Sequence, residues 1–199
     1  MNFLAHLYLS GDDPDIQFGN FIADAVKGSL YNSYEQKIRK GILLHREIDR
    51  YTDTHPVFRK SCQRLSEKYR KYSGVIVDLY YDHFLCKNWP GYSPTELSAF
   101  VQAAYKNLTD NYELLPPRSR RILPFMMDQN WLEGYADLHK LKLVFAGMAR
   151  RAKFNSGMEN AVTDLVANYT LFEDEFRAFF PEMMNHSNNY REFLLTKEA

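Results

Sequence analysis

The chain has 199 residues and a mass of 23.4 kDa, enough for one domain with a sizeable core and too little, without a composition shift, to suggest a second. Hydrophobic residues make up 45% and charged residues 25%, which excludes a disordered or bilayer-embedded chain, and 25 Lys plus Arg against 25 Asp plus Glu excludes a global field for nucleic acid. The opening "MNFLAHLYLSGDDPD" lacks a basic leader and no apolar run approaches the roughly 20 residues of a membrane span, so the expected compartment is the cytoplasm.

Apolar residues recur at helical intervals almost throughout, and no hairpin signal joins two strands, so the expected fold is all-α, a single domain over 1–199. A first short helix covers about 2 to 10 and stops at Ser10-Gly11. Asp13 as N-cap, Pro14 at a first helical position and Gly28 as terminator bracket a second. A third runs from about Tyr34 to Thr52, a fourth from Pro56 to Tyr72, and a fifth, after Ser73-Gly74, from 75 to 88. "NWPGYSP" is a turn before a helix over 94–112. The proline-containing "LLPPRSRRILPFMMDQNW" predicts a short helix between bends, then one from Trp131 to about Ala149. Ser156-Gly157 leads into a long final helix ending near "FFPEMM", with a tail that adds a turn or frays. Cys62 and Cys86 have no metal-site spacing and are expected as free thiols.

Several polar residues fall on faces that are otherwise apolar. Ile38, Ile42, His45, Asp49 and Thr52 share one helix face, and Asp53 lies a turn beyond Asp49. Val75, Asp78, Asp82, Leu85 and Trp89 form a similar stripe with His83 beside it. Asn20 and Asp24 repeat the pattern on the second helix, followed by Lys27, and His6 sits between Phe3 and Leu9 on the first. Taken singly, these residues have simpler readings: Asp24 can pair with Lys27, Asp49 with Arg46 or Arg50, and Asp53 with Arg50. Their recurrence on four helices within the first 83 residues points instead to a shared polar centre. Imidazole and carboxylate donors without thiolate suit Mn²⁺, Fe²⁺, Mg²⁺ or Zn²⁺.

"MNFLAHLYLS", "GNFIADAVKG", "GILLHREIDRYTDTHP", "DHFLCKNW", "GMARR" and "FFPEMM", in this order over nearly the whole chain, closely resemble the acyl carrier protein phosphodiesterase family. The resemblance implies a metal-dependent hydrolase that removes 4′-phosphopantetheine from a serine of holo-acyl carrier protein, similar to HD-type phosphohydrolases, with Mn²⁺ the favoured ion. Carried over by position, it makes His6, Asp24, His45, Asp49, Asp82 and His83 the functional set, with His45, Asp49, Asp24 and Asp82 the first metal ligands and His6 a further one. Asp78 and His83 are then the groups to orient water or move a proton, with Asp53 a neighbour. Lys27, Arg46, Arg150 and Arg151 are the cations available for phosphate. The chain departs from the HD pattern: its adjacent pair is inverted, Asp82-His83, and His45 and Asp49 are separated. Because carrier proteins are acidic, docking is expected on "FRKSCQRLSEKYRKY" (Arg59, Lys60, Arg64, Lys68, Arg70, Lys71) or on "PPRSRR" (Arg118, Arg120, Arg121). The alternatives are a metal-dependent hydrolase of a nucleotide or other small phosphodiester, and a non-catalytic helical partner-binding protein.

Overall fold

The computed structural model describes residues 1–196. It consists of α-helices linked by short 3-10 turns, with no strand among the described residues. The elements are α1 (Phe3–Leu9), α2 (Pro14–Ile22), α3 (Gln36–Thr54), α4 (Pro56–Tyr69), α5 (Ser73–Lys87), α6 (Leu97–Asp110), α7 (Pro117–Asp128), α8 (Trp131–Gly134), α9 (Leu138–Arg151), α10 (Ala161–Ala167) and α11 (Tyr169–Thr196). The all-α expectation is met, and the differences lie at boundaries.

Asp13 does cap α2, its Oδ1 accepting from the Asp15 and Ile16 amides. That helix ends earlier than expected, however: the chain tightens into 3-10 turns at Ala23–Ala25 and Gly28–Ser33. The expected helix from Trp131 to Ala149 is two helices, because Asp137 accepts from the His139 and Lys140 amides and starts α9 afresh. The expected final helix also divides at Asn168, between α10 and α11. Pro181 does not end α11, which runs on to Thr196.

Helix α5 is the centre of the molecule. From Ile76 to Cys86 every residue but Asp78 is buried, so the helix has no solvent face and a one-sided apolar stripe is not to be expected of it. Phe172, Phe176 and Phe179, spaced by three or four residues along α11, and the adjacent Phe180 are fully buried. They meet Tyr80, Tyr81 and Phe84 of α5, with ring centroids 5.1 Å apart for Tyr80–Phe172 and 5.6 Å for Tyr81–Phe176. Each such ring removed from water contributes about 1.5–3 kcal/mol. Much of the aromatic richness of the sequence is therefore core.

The closest pairing is α2 against α3. A Cβ placed on Gly19 would lie 2.1 Å from the Ile38 carbonyl oxygen, and one on Gly41 2.2 Å from the Ile16 carbonyl oxygen. The two backbones touch there. Gly19 adjoins Asn20, and Gly41 lies one turn before His45, so this contact brings the polar residues of α2 and α3 together.

Candidate metal centre

Three helices meet at the centre. His6 enters from α1, and His45 and Asp49 from one face of α3. Their ligand atoms lie within 4.8 Å of one another, the one such His, Cys, Asp and Glu group among the described residues. The imidazoles of His6 and His45 stack, centroids 3.9 Å apart and 17° from parallel. Both present Nε2 to Asp49: His6 Nε2 is 3.1 Å from Oδ1 and His45 Nε2 is 3.1 Å from Oδ2. Asp24, exposed at the rim on the Ala23–Ala25 turn, brings Oδ1 to 3.4 Å from His45 Nε2.

Behind the rings stands Asn20, wholly buried, whose Oδ1 lies 2.9 Å from Nδ1 of each histidine. His45 Nε2 is itself buried without a hydrogen-bond partner, since its carboxylate neighbours lie off the bonding direction. An orphaned imidazole nitrogen, a second imidazole and one or two carboxylates facing a common point form a donor set that fits a divalent cation.

The sequence model for acyl carrier protein phosphodiesterase matches residues 1–183. The chain belongs to the acyl carrier protein phosphodiesterase family. A relative bearing that family's name, from Photorhabdus laumondii, is 35% identical over 190 residues, covering 95% of this chain and 96% of the relative. Another, from Serratia proteamaculans, is 33% identical over 190 residues, covering 95% and 98%. No solved structure matches the chain.

In this phosphodiesterase-family chain several expected site residues stand apart from the cluster. Asp82 is wholly buried, but its Oδ2 and Oδ1 accept the Leu4 and Ala5 amides at 2.9 and 3.2 Å. Both oxygens are thus committed to the first turn of α1, two and one residues before His6. His83 Nδ1 lies 2.8 Å from the Tyr135 carbonyl and Nε2 2.9 Å from the Tyr169 hydroxyl, so both ring nitrogens are engaged outside the cluster. Asp78 Oδ1 is 3.0 Å from the Met1 amino nitrogen, which in turn lies 3.6 Å from Asp49. Asp53 and Lys27 are exposed.

Arg46 bonds the Val26 and Gly28 carbonyls, both at 3.0 Å, and lies over the Tyr31 ring. It straps down the segment that carries Asp24 rather than facing the cluster. Arg150 and Arg151 are exposed at the end of α9, whose principal partners are the Met158–Asn160 turn and α10. Residue-type reasoning names Asn20 on the polar face of α2 without giving it a role, and it passes over the paired glycines.

The electrostatics divide the two rings. Burial alone lowers the His45 pKa, but the Asp24 and Asp49 carboxylates outweigh it and carry it up to about 9. Burial and then the neighbouring His45 push His6 down to about 4, against the pull of Asp49. Burial opposes ionisation of Asp49 too, yet the two imidazoles hold its carboxyl well below the usual range. Burial pushes Asp82 up to about 7 despite the Leu4 and Ala5 amides. Without a cation, then, the centre keeps one proton on His45 at neutral pH.

Proposed function

We propose that this protein hydrolyses the phosphodiester linking 4′-phosphopantetheine to a serine of holo-acyl carrier protein, with Mn²⁺ as the preferred ion and in the cytoplasm. The observation that carries the reading is the buried His6–His45 pair, with an orphaned Nε2, facing Asp49 in a chain of this family. His6, His45 and Asp49 would hold the ion, with Asp24 on the solvent side of the set. A divalent ion bound there supplies a coordinated water of lowered pKa and neutralises charge on the phosphoryl oxygens. Water adds to phosphorus, the bond to the serine oxygen breaks, and that oxygen leaves with a proton. The proton given up by the attacking water balances the one taken by the serine oxygen. His45 and Asp49, one turn apart on α3, take the part of the consecutive His-Asp pair of HD-type enzymes. No helix among the described residues is long and apolar enough to cross a membrane.

The test is to strip the protein of metal, add back Mn²⁺, Mg²⁺, Fe²⁺ or Zn²⁺, and follow holo-acyl carrier protein by intact mass. Loss of the phosphopantetheine mass, fastest with Mn²⁺, is the expected result. Turnover of small phosphodiesters alone, or of nothing, overturns the reading.

A pH dependence follows from His45. Its pKa is raised above the ordinary 6.5, so in the metal-free protein its contribution to stability is complete below pH 6.5 and is lost as pH climbs through about 9. Coordination needs the same nitrogen deprotonated. Mn²⁺ affinity should therefore rise by up to about tenfold per pH unit between pH 6.5 and 8.5, with close to one proton released per ion. Titration calorimetry in buffers of different ionisation enthalpy measures both, and a flat affinity would show that no proton has to leave.

For docking, much of the cation run from Arg59 to Lys71 is occupied by the chain itself. Arg64 grips Glu175 with two bonds, at 3.1 and 3.0 Å, Lys60 lies 3.5 Å from the same carboxylate, and Lys68 pairs with Asp164. Arg120 in the second run bonds the Leu115 carbonyl. Residues 138–158, by contrast, contain Lys140, Lys142, Arg150, Arg151 and Lys153 and no Asp or Glu. No ion pair among the described residues involves these five, and Leu143 and Phe154 beside them are 59% and 56% exposed. An acidic carrier protein fits this surface best. The Arg150→Glu, Arg151→Glu double variant should raise KM for holo-acyl carrier protein about tenfold, the effect of ~1.4 kcal/mol, while turnover of a small phosphodiester stays unchanged. Loss of small-phosphodiester turnover as well would assign the arginines to the phosphate instead.

A further inference from the structure

Four hydrogen bonds converge on the side-chain amide of Asn20, which has none of its surface in solvent. Nδ2 donates to the His6 carbonyl at 3.0 Å and to Ser10 Oγ at 2.9 Å. Oδ1 meets His6 Nδ1 and His45 Nδ1, each at 2.9 Å. Chemistry fixes the direction of this amide. A backbone carbonyl has no proton to give, so the NH₂ end must face His6 oxygen. Ser10 agrees, because its hydroxyl already donates to that carbonyl at 2.8 Å and is left to accept from Nδ2.

With the NH₂ end committed, Oδ1 faces both rings, and each ring can bond it only by carrying hydrogen on Nδ1. The hydrogen bond made by one ring nitrogen determines what the other can do. Here one oxygen makes the same choice for two histidines, and both Nε2 atoms are left facing Asp49, each 3.1 Å from one of its oxygens.

We propose that Asn20 is a positioning residue for metal capture. Its single amide oxygen sets the Nδ1–H form in His6 and His45 together and so presents two stacked rings as matched Nε2 donors. The choice originates in the His6 backbone carbonyl, so a ligand residue helps to orient its own ring through its neighbour. This inference rests on the metal centre proposed above, but its chemistry is visible without any ion.

The first measurement is a long-range ¹H–¹⁵N spectrum of the imidazoles in metal-free wild-type protein, with hydrogen expected on Nδ1 of both His6 and His45. A spectrum with either ring protonated on Nε2 alone overturns the proposal. The second is Mn²⁺ binding by calorimetry: Asn20→Leu, which removes the acceptor, should bind about 10–100-fold more weakly. The variant Asn20→Asp keeps an acceptor for both Nδ1–H groups but loses the donor to the His6 carbonyl, so it should retain the ring pattern at a cost in stability. A folded Asn20→Leu that binds Mn²⁺ as tightly as wild type overturns the proposal. Should Asn20→Leu not fold, the ring spectrum of Asn20→Asp decides, and loss of Nδ1–H from either histidine there counts against it. Wild-type protein that takes up no Mn²⁺ overturns the metal centre itself, a result distinct from a centre that fills equally well in Asn20→Leu.

Discussion

Gly41→Ala should weaken the fold and empty the centre at once. Helix propensity alone favours alanine over an interior glycine by roughly 0.5–1 kcal/mol. At Gly41, though, the added methyl would sit 2.2 Å from the Ile16 carbonyl oxygen and 2.9 Å from the Asn20 amide nitrogen, backbone atoms that cannot swing aside as a side chain does. Forcing α2 and α3 apart costs about 1–3 kcal/mol or more, so the net effect is destabilising. Metal affinity should fall further than stability, because Asn20 and His45 ride on the two helices being separated. Gly19→Ala, against the Ile38 carbonyl, should behave alike. Gly74→Ala is the control: nothing lies within 4 Å of its added methyl, and it should leave stability unchanged or improve it. Urea unfolding and calorimetry on the three variants check this, and a Gly41→Ala protein as stable and as metal-competent as wild type would refute the contact.

The second large effect separates two buried-looking aspartates. Asp49→Ala removes the carboxylate that both Nε2 atoms face and should lower turnover by more than the roughly 10–100-fold that losing a mere partner of a metal ligand costs. Its side chain is 41% exposed, so the helical fold should survive. Asp82→Ala should do the reverse. It strips the acceptor from two buried amides of α1 and should cost about 1–3 kcal/mol of stability for each group left unsatisfied, with activity reduced only as His6 loses its mooring. Thermal unfolding set beside kcat for the pair gives opposite rankings. Equal rankings would mean that Asp82 acts at the centre directly.

The same pair marks the limit of what the sequence discloses. The spacing of His45 and Asp49 on a stripe that also holds Ile38 and Ile42 announces a polar inward face, and the structure brings these two together with His6. Asp82 carries an identical signal, because a carboxylate buried to cap a foreign helix and one buried to face imidazoles look alike in one dimension. Asn20 is visible on the right face of α2, yet its part depends on two rings that come from other helices. Gly19 and Gly41 are silent altogether: a missing side chain shows its purpose only when the neighbouring backbone is in view. Boundaries were misjudged where local punctuation yielded to packing. Pro181 stays inside α11 because the helix is held by buried Phe176, Phe179, Phe180 and Met183 around it.

Helix α1 is seven residues long, too short to persist alone. Asp82 moors its beginning, and Arg191, from the far end of α11, reaches the Leu9 carbonyl at its finish. His6 hangs between two tethers that the ribosome delivers much later than the histidine itself. The placement of His6 therefore depends on both ends of α1 being held by residues that lie far along the chain.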